Sequence, residues 1–302
     1  MGRPVSVTSI AFSQVFAQSD PSLEHIFGLI EEEAEKKPDL ILLPELWSGF
    51  TVAPEEIDGR ISQKISQIAA RYGVYIISPI YRTDEQGRRI NTAMLFDRRG
   101  ILVMIYDKVF PYLEEFNAAP PASPGENVPA FDCDFGRLGI AICFDANFPE
   151  VWKALDDQNV DLVAFCSAYS AGSQLQAHAL NHHYPIVSCT DVPDCTVIDI
   201  NGKETAHFEG EDGLCISRVT LDLDRCIFHE NYNTELRDKL LAEHGDDVEQ
   251  EFCWERENWF VLRSRNGSSA KQLAARYGLE ELRSYKRRSR DIVNKRRGCI
   301  LC

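Results

Sequence analysis

Cys143 closes an apolar run, Leu138-Gly-Ile-Ala-Ile-Cys143, and is followed at once by Phe144-Asp-Ala-Asn-Phe-Pro-Glu150. A buried strand that ends in a thiol and turns sharply into a helix is a way to present a nucleophile. The strand fixes the backbone, the turn lifts the side chain out of the sheet, and the helix N-terminus adds partial positive charge. The competing reading is a packed core cysteine, since free Cys is among the most buried residue types. Two distant segments tip the balance. Asp39-Leu-Ile-Leu-Leu-Pro-Glu45 is a second apolar run that ends in a carboxylate, and Ile101-Leu-Val-Met-Ile-Tyr-Asp-Lys108 is a third that ends in an amine. Apolar residues without alternation indicate strands covered on both faces. Charged groups at the exits of such strands lie where open α/β sheets place their ligands. A partly buried Glu there gains basicity and suits proton transfer.

In the order Glu, Lys, Cys, these segments resemble the nitrilase superfamily, the carbon–nitrogen hydrolases that cleave nitriles, amides and N-carbamoyl groups. LLPELWSGF (Leu42 to Phe50) is similar to the family's glutamate motif, YDKVFPYLEE (Tyr106 to Glu115) to its lysine motif, and GIAICFDANFPEVW (Gly139 to Trp152) to its cysteine motif. The spacings of 63 and 35 residues also fit, and the resemblance runs from about Val5 to about Val219. It implies that Cys143 attacks the substrate carbon and that Glu45 shuttles the proton. It also implies that Lys108, with the backbone N–H of Phe144, stabilises the oxyanion. Such chemistry needs a partner for the sulfur, because an unperturbed thiol of pKa ~8.5 is only slightly ionised at neutral pH. The family carries a second glutamate after the lysine, for which Glu114 and Glu115 are the candidates; counting seven residues past Lys108 favours Glu115, with Glu114 left as a substrate contact. Ser167 and Tyr169 follow the next strand and are candidates to line the pocket.

The resemblance further implies a four-layer αββα sandwich, neither cofactor nor metal, and a homodimer or higher homo-oligomer. Dedicated nitrilases of the family usually have Trp-Glu after the nucleophile. Phe144-Asp145 stands here, which shifts weight to a small amide or N-carbamoyl substrate. Two other functions fit the same residues: a catalytically silent binding or scaffold protein, and an acyl transferase.

The elements that must position these residues are visible in the periodicity. Asp20 and Pro21 read as the start of a helix with Leu23, Ile26, Leu29, Ile30 and Ala34 on one face. Asp58 opens a second, with Ile61, Ile65, Ile68 and Ala69 on a stripe that Gly73 stops. Strands follow at Val74 to Pro79, Thr92 to Phe96 and Ile101 to Asp107, the last two joined by the turn Asp97-Arg-Arg-Gly100. Helices near Phe148 to Leu155 and Gln174 to His183 flank a strand over Asp161 to Ser167, and another strand covers Ile186 to Cys189. Residue patterning alone supports an α/β fold with buried strands. The expected organisation is a single hydrolase domain over 1–262 and a basic, helical C-terminal tail over 263–302.

Composition narrows the remaining possibilities. No apolar run approaches the ~18 residues of a membrane span, and the N-terminus lacks a signal peptide's apolar core. The chain has ten cysteines and, apart from the terminal Cys299-Ile-Leu-Cys302, no close CxxC pair, which fits a reduced, cytoplasmic protein. Cys133, Cys166, Cys189, Cys195, Cys215, Cys226 and Cys253 then read as packing residues. His178 and His182 form an i, i+4 pair, but without an acidic partner at zincin spacing they do not make a metal motif. The net charge is −15. Leu282 to Gly298 carries eight Lys/Arg against one Asp, so that stretch is +7 on a remainder of −22. An acidic body argues against nucleic acid as a partner. The basic stretch suits an acidic neighbouring subunit instead. Cys299-Ile-Leu-Cys302 and Met1-Gly2-Arg-Pro-Val-Ser6 match lipidation patterns formally, yet membrane attachment is not expected.

Overall fold

The computed structural model describes residues 4–13, 20–210, 212–254 and 256–298, with the backbone alone at 20, 21, 252 and 253. Met1 to Arg3 and Cys299 to Cys302, on which the lipidation patterns rest, lie outside the described residues. The chain divides into two compact units, Val5–Leu221 and one built from Asp222 onward.

The first unit contains β1 (Pro4–Phe12), α1 (Asp20–Glu35), β2 (Leu40–Leu42), α2 (Arg60–Tyr72), β3 (Tyr75–Thr83), β4 (Arg89–Phe96), β5 (Leu102–Asp107) and α3 (Leu113–Asn117). It continues through β6 (Ala130–Cys133), β7 (Gly136–Ile142), a 3-10 turn over Cys143–Asn147, α4 (Pro149–Asp157), β8 (Leu162–Ser167) and α5 (Gly172–His182). It closes with β9 (Ile186–Thr190), β10 (Asp194–Ile198), β11 (Glu204–Glu209) and β12 (Leu214–Asp222). Two six-stranded sheets result, ordered β12-β1-β2-β3-β4-β5 and β11-β10-β9-β8-β7-β6. Each has parallel strands at its centre, β1 to β3 in one and β7 to β9 in the other, with β4 and β5 antiparallel beyond β3, β6 antiparallel to β7, and β10 and β11 antiparallel beyond β9.

Four layers follow from which faces are apolar. Ile41 and Leu43 pack outward with Ile26 and Ile30 of α1 and with Ile61, Ile65 and Ile68 of α2. Val163 and Phe165 pack outward with Trp152 and Leu155 of α4 and with Leu175 and Ala179 of α5. The inner faces meet each other: Cys189 Sγ donates to the Leu42 carbonyl (3.4 Å) and Cys195 Sγ approaches that of Ser9 (3.9 Å). The expected αββα sandwich is therefore present. Burial on both faces is why the central strands carry unbroken apolar runs.

Some local signals work differently. Asp58 does not cap α2; the helix starts at Arg60, and the Glu55 carboxylate accepts from the Ile61 N–H (2.9 Å). The hairpin at Asp97–Gly100 needs its glycine, since Gly100 has φ +76° and an added Cβ would stand 2.3 Å from the Ser66 carbonyl.

The second unit comprises β13 (Cys226–His229), α6 (Glu230–His244), β14 (Val248–Trp254), β15 (Trp259–Ser264), α7 (Ala270–Tyr277) and α8 (Leu282–Arg297). Its strands form an antiparallel sheet ordered β13-β15-β14, and Phe228, Leu240, Val248, Phe260, Leu262 and Leu273 make its core. The expected boundary after residue 262 would cut β15, the central strand of this sheet; the compact division lies between Leu221 and Asp222 instead. Within 263–302 lie the last two residues of β15, then α7 and α8. Among the described residues, no helix is long and apolar enough to cross a membrane.

Candidate active site

Three strand ends deliver the chemistry-bearing side chains. Glu45 lies just past β2, Lys108 directly follows β5, and Cys143 directly follows β7. All three are buried, Lys108 at 1% exposure and Glu45 at 2%. Lys108 Nζ is 2.7 Å from Glu45 Oε1 and 2.5 Å from Glu115 Oε1. The Glu45 carboxylate and the Ala168 N–H both reach the Cys143 thiol. Glu45 is fixed by the loop behind it, where Trp47 is fully buried, donates to Ser78 Oγ (2.9 Å) and sits edge-on to Phe27.

Both the acid and the sulfur stand at strained turns. Cys143 has φ +47° and Leu46, beside Glu45, has φ +49°. Non-glycine residues adopt this region only when their surroundings impose it. For Cys143 the surroundings are held by Asp145, which is fully buried and accepts from Tyr106 OH (2.6 Å), Ile142 N–H (2.9 Å) and Phe110 N–H (2.9 Å). Burial pushes the Asp145 pKa up to about 6, against the pull of those three donors. The turn after Cys143 is five residues of 3-10 helix, and α4 begins only at Pro149. The helix-dipole contribution expected for the sulfur is accordingly remote.

The electrostatics fix the resting protonation states. Burial, followed by the neighbouring Glu45 carboxylate, raises the Cys143 pKa well above the ordinary thiol range, with Lys108 opposing. The sulfur therefore rests as a thiol rather than a thiolate. Burial pulls the Lys108 pKa down, but Glu45, Cys143 and Glu115 outweigh it and hold the ammonium cationic above its usual range. Burial raises the Glu115 pKa, but the Lys108 ion pair and its hydrogen bonds overcome that and lower it. Glu115 also accepts from Tyr112 N–H (2.9 Å), so it caps α3 while it holds the lysine.

Of the two candidate second glutamates, Glu115 meets Lys108. Glu114 is exposed and accepts only a long contact (3.4 Å) from Asn117. The Phe144 ring contacts Tyr112 and Phe148 edge-on, and Phe110 stacks on Phe148 at 3.7 Å, which builds an aromatic wall beside the elbow. Ser167 is fully buried and its Oγ accepts from the Tyr169 N–H (2.9 Å), so it shapes the turn after β8. The Tyr169 hydroxyl donates to Gln174 Oε1 (3.1 Å) and accepts from Asn147 Nδ2 (3.4 Å), and Asn147 also donates to the Phe144 carbonyl (3.2 Å). His178 stacks on Trp152 with Nε2 2.9 Å from the Ala146 carbonyl, His182 lies 3.3 Å from Asp156, and His183 faces the Ile200 carbonyl. Among the described residues no three His, Cys, Asp or Glu side chains are grouped to hold a metal.

A family model described as carbon-nitrogen hydrolase matches residues 6–228. The chain belongs to the carbon-nitrogen hydrolase family. It is 25% identical over 161 residues to an omega-amidase of Xenopus tropicalis, a match that spans 49% of this chain and only 58% of that relative. It is also 25% identical over 252 residues to the chloroplastic omega-amidase of Arabidopsis thaliana, covering 72% of this chain and 68% of that one. Among solved structures, an amidase from Nesterenkonia sp. superposes with a TM-score of 0.60 at 20% identity, over 79% of this chain and 97% of its own. Nit3 of Saccharomyces cerevisiae, a member of the nitrilase superfamily, gives 0.62 at 19%, over 73% and 90%. These two structures share the fold of this chain.

Within this carbon-nitrogen hydrolase, sequence reasoning missed Asn91, Tyr81, Tyr106 and the supporting place of Asp145. Asn91 donates to Glu45 Oε1 (2.8 Å) and Glu115 Oε2 (3.1 Å), and Tyr81 OH donates to the same Glu115 oxygen (3.1 Å). The available signal was a lone amide in β4, whose eight residues are all buried, because a buried polar group in a strand requires partners.

Proposed function

We propose that the chain is a cysteine-dependent amidohydrolase that cleaves a non-peptide C–N bond of a small amide or N-carbamoyl compound. The single observation carrying this reading is that an ammonium, a carboxylate and a thiol from separate strand ends share one buried site. Because the thiol rests protonated, Glu45 takes its proton as Cys143 Sγ attacks the carbonyl carbon. The C=O electrons move to oxygen, and that oxyanion is stabilised by Lys108 and the Phe144 N–H. An ammonium has three hydrogens; Glu45 and Glu115 take two, and the third is left for the oxyanion. Collapse breaks the C–N bond, Glu45 returns the proton to the departing nitrogen, and a thioester remains on Cys143. Glu45 then deprotonates water, which attacks the thioester, and the acid departs as the thiol is restored.

The seven described cysteines are free thiols, consistent with the reducing, cytoplasmic setting we assign. We carry forward a homo-oligomer as part of the same proposal, to be checked by sedimentation. The primary test is ammonia release from short amides, ω-amides and N-carbamoyl amino acids, with Cys143→Ala as control. Release that disappears in the control supports the assignment. Release that persists in the control, or no turnover of any member of these classes, sinks it.

A further inference from the structure

Asn91 sits in β4, 1% exposed, and both hydrogens of its amide are used: one on Glu45 Oε1 at 2.8 Å, the other on Glu115 Oε2 at 3.1 Å. Lys108 joins the same two carboxylates from the other side. The four groups close a ring in which donors and acceptors alternate. Glu45 Oε1 thereby receives two donors, which leaves Oε2 as the oxygen with capacity for a proton. The amide cannot be turned over, because its carbonyl would then face two carboxylates. Its Oδ1 is buried and has no hydrogen-bond partner. An unsatisfied buried acceptor costs stability, so stability does not explain an amide at this position.

We propose that Asn91 is the positioning residue of the general base: it fixes the Glu45 carboxylate in the rotation that presents Oε2 to Cys143 Sγ. A neutral donor suits this task, since a second cation at that place would depress the basicity Glu45 needs. The inference rests on the reading of Glu45 as the base for Cys143.

Iodoacetamide tests it without knowledge of the physiological substrate, because the reagent is itself a small amide and alkylates the sulfur directly. Saturation kinetics on the full chain separate the maximal inactivation rate from the half-saturating concentration, with Cys143 labelling followed by mass spectrometry. Glu45→Gln is expected to slow the maximal rate at least ten-fold. Asn91→Asp, which keeps the shape but offers at most one hydrogen, and Asn91→Ala are each expected to slow it at least five-fold. The half-saturating concentration should stay within two-fold of the parent chain for both. A purely structural role predicts the reverse, a lower melting temperature and weaker saturation with the maximal rate intact, and that result overturns the proposal. An unchanged maximal rate for Asn91→Asp beside a slow Glu45→Gln sinks this inference alone. An unchanged rate in Glu45→Gln removes the base itself and takes the inference with it.

Discussion

Lys108 is the residue on which the site's charge balance depends. Two carboxylates converge on it within 2.7 Å, and the thiol beside it gains its reactivity only if the sulfur's negative charge is offset as it forms. Lys108→Met should therefore lower turnover by at least ~10²-fold, the usual cost of one oxyanion donor, and a loss under ten-fold in steady-state rate would contradict that role. Glu115 sets a pH dependence of stability. Its folded pKa is lowered, so its contribution is fully present above the unfolded carboxyl value of ~4.3 and disappears as pH falls through the lower folded value. Urea midpoints of the parent chain should drop across that acidic window, and Glu115→Gln should flatten this component; identical pH profiles would refute it. Which glutamate meets the lysine was legible from the count past Lys108. Asn91 was not, because a single amide in an apolar strand belongs to no motif and its value comes from partners 46 and 24 residues away.

At the level of elements, the strands carrying the site were the legible ones. β2, β5 and β7 lead into Glu45, Lys108 and Cys143, and burial on both faces writes β2 and β7 as apolar runs. The elements that escaped notice lack such a signature. α3 has five residues and no buried face, and β14 reads Val-Glu-Gln-Glu-Phe-Cys-Trp, a polar string ending in aromatics. The elbow after β7 was legible as a turn, but its support was not: Asp145 looked like a marker of substrate class, whereas the fold buries it under three donors. Asp145→Ala strands those donors and should cost about 2–4 kcal/mol, at ~1–3 kcal/mol for each unsatisfied buried group with partial relaxation. It should also remove activity. A urea-derived loss below ~1 kcal/mol would show that the turn holds itself. Gly125 is a second support, since its N–H donates to the Lys108 carbonyl (2.8 Å) and an added Cβ would stand 2.1 Å from the Asp107 carbonyl. Gly125→Ala should displace Lys108 and reduce turnover; undiminished activity would count against that link.

For the molecule as a whole, the sandwich was implied by family motifs, while the organisation after Leu221 was not. Helical periodicity and basic charge mark the last forty residues, where α7 and α8 lie, while the β13-β15-β14 sheet that precedes those helices carries no comparable signature in the sequence. Between the two large sheets the contacts include small polar side chains. Ser9 is fully buried and its hydroxyl has no partner, so Ser9→Ala should leave stability unchanged or raise it by ~0.5–1 kcal/mol. A loss greater than ~1 kcal/mol would reveal a partner for that hydroxyl. The sulfurs give the folded state a built-in gauge. Seven described cysteines are free and buried; Cys226 donates to Glu281 (3.5 Å), and Cys143 lies beside both Glu45 and the Lys108 ammonium that offsets a forming thiolate. Under native conditions a small alkylating reagent should add one mass increment quickly at Cys143. Each later increment, assigned by peptide to Cys133, Cys166, Cys189, Cys195, Cys215 or Cys226, then times the opening of the particular layer that had enclosed it.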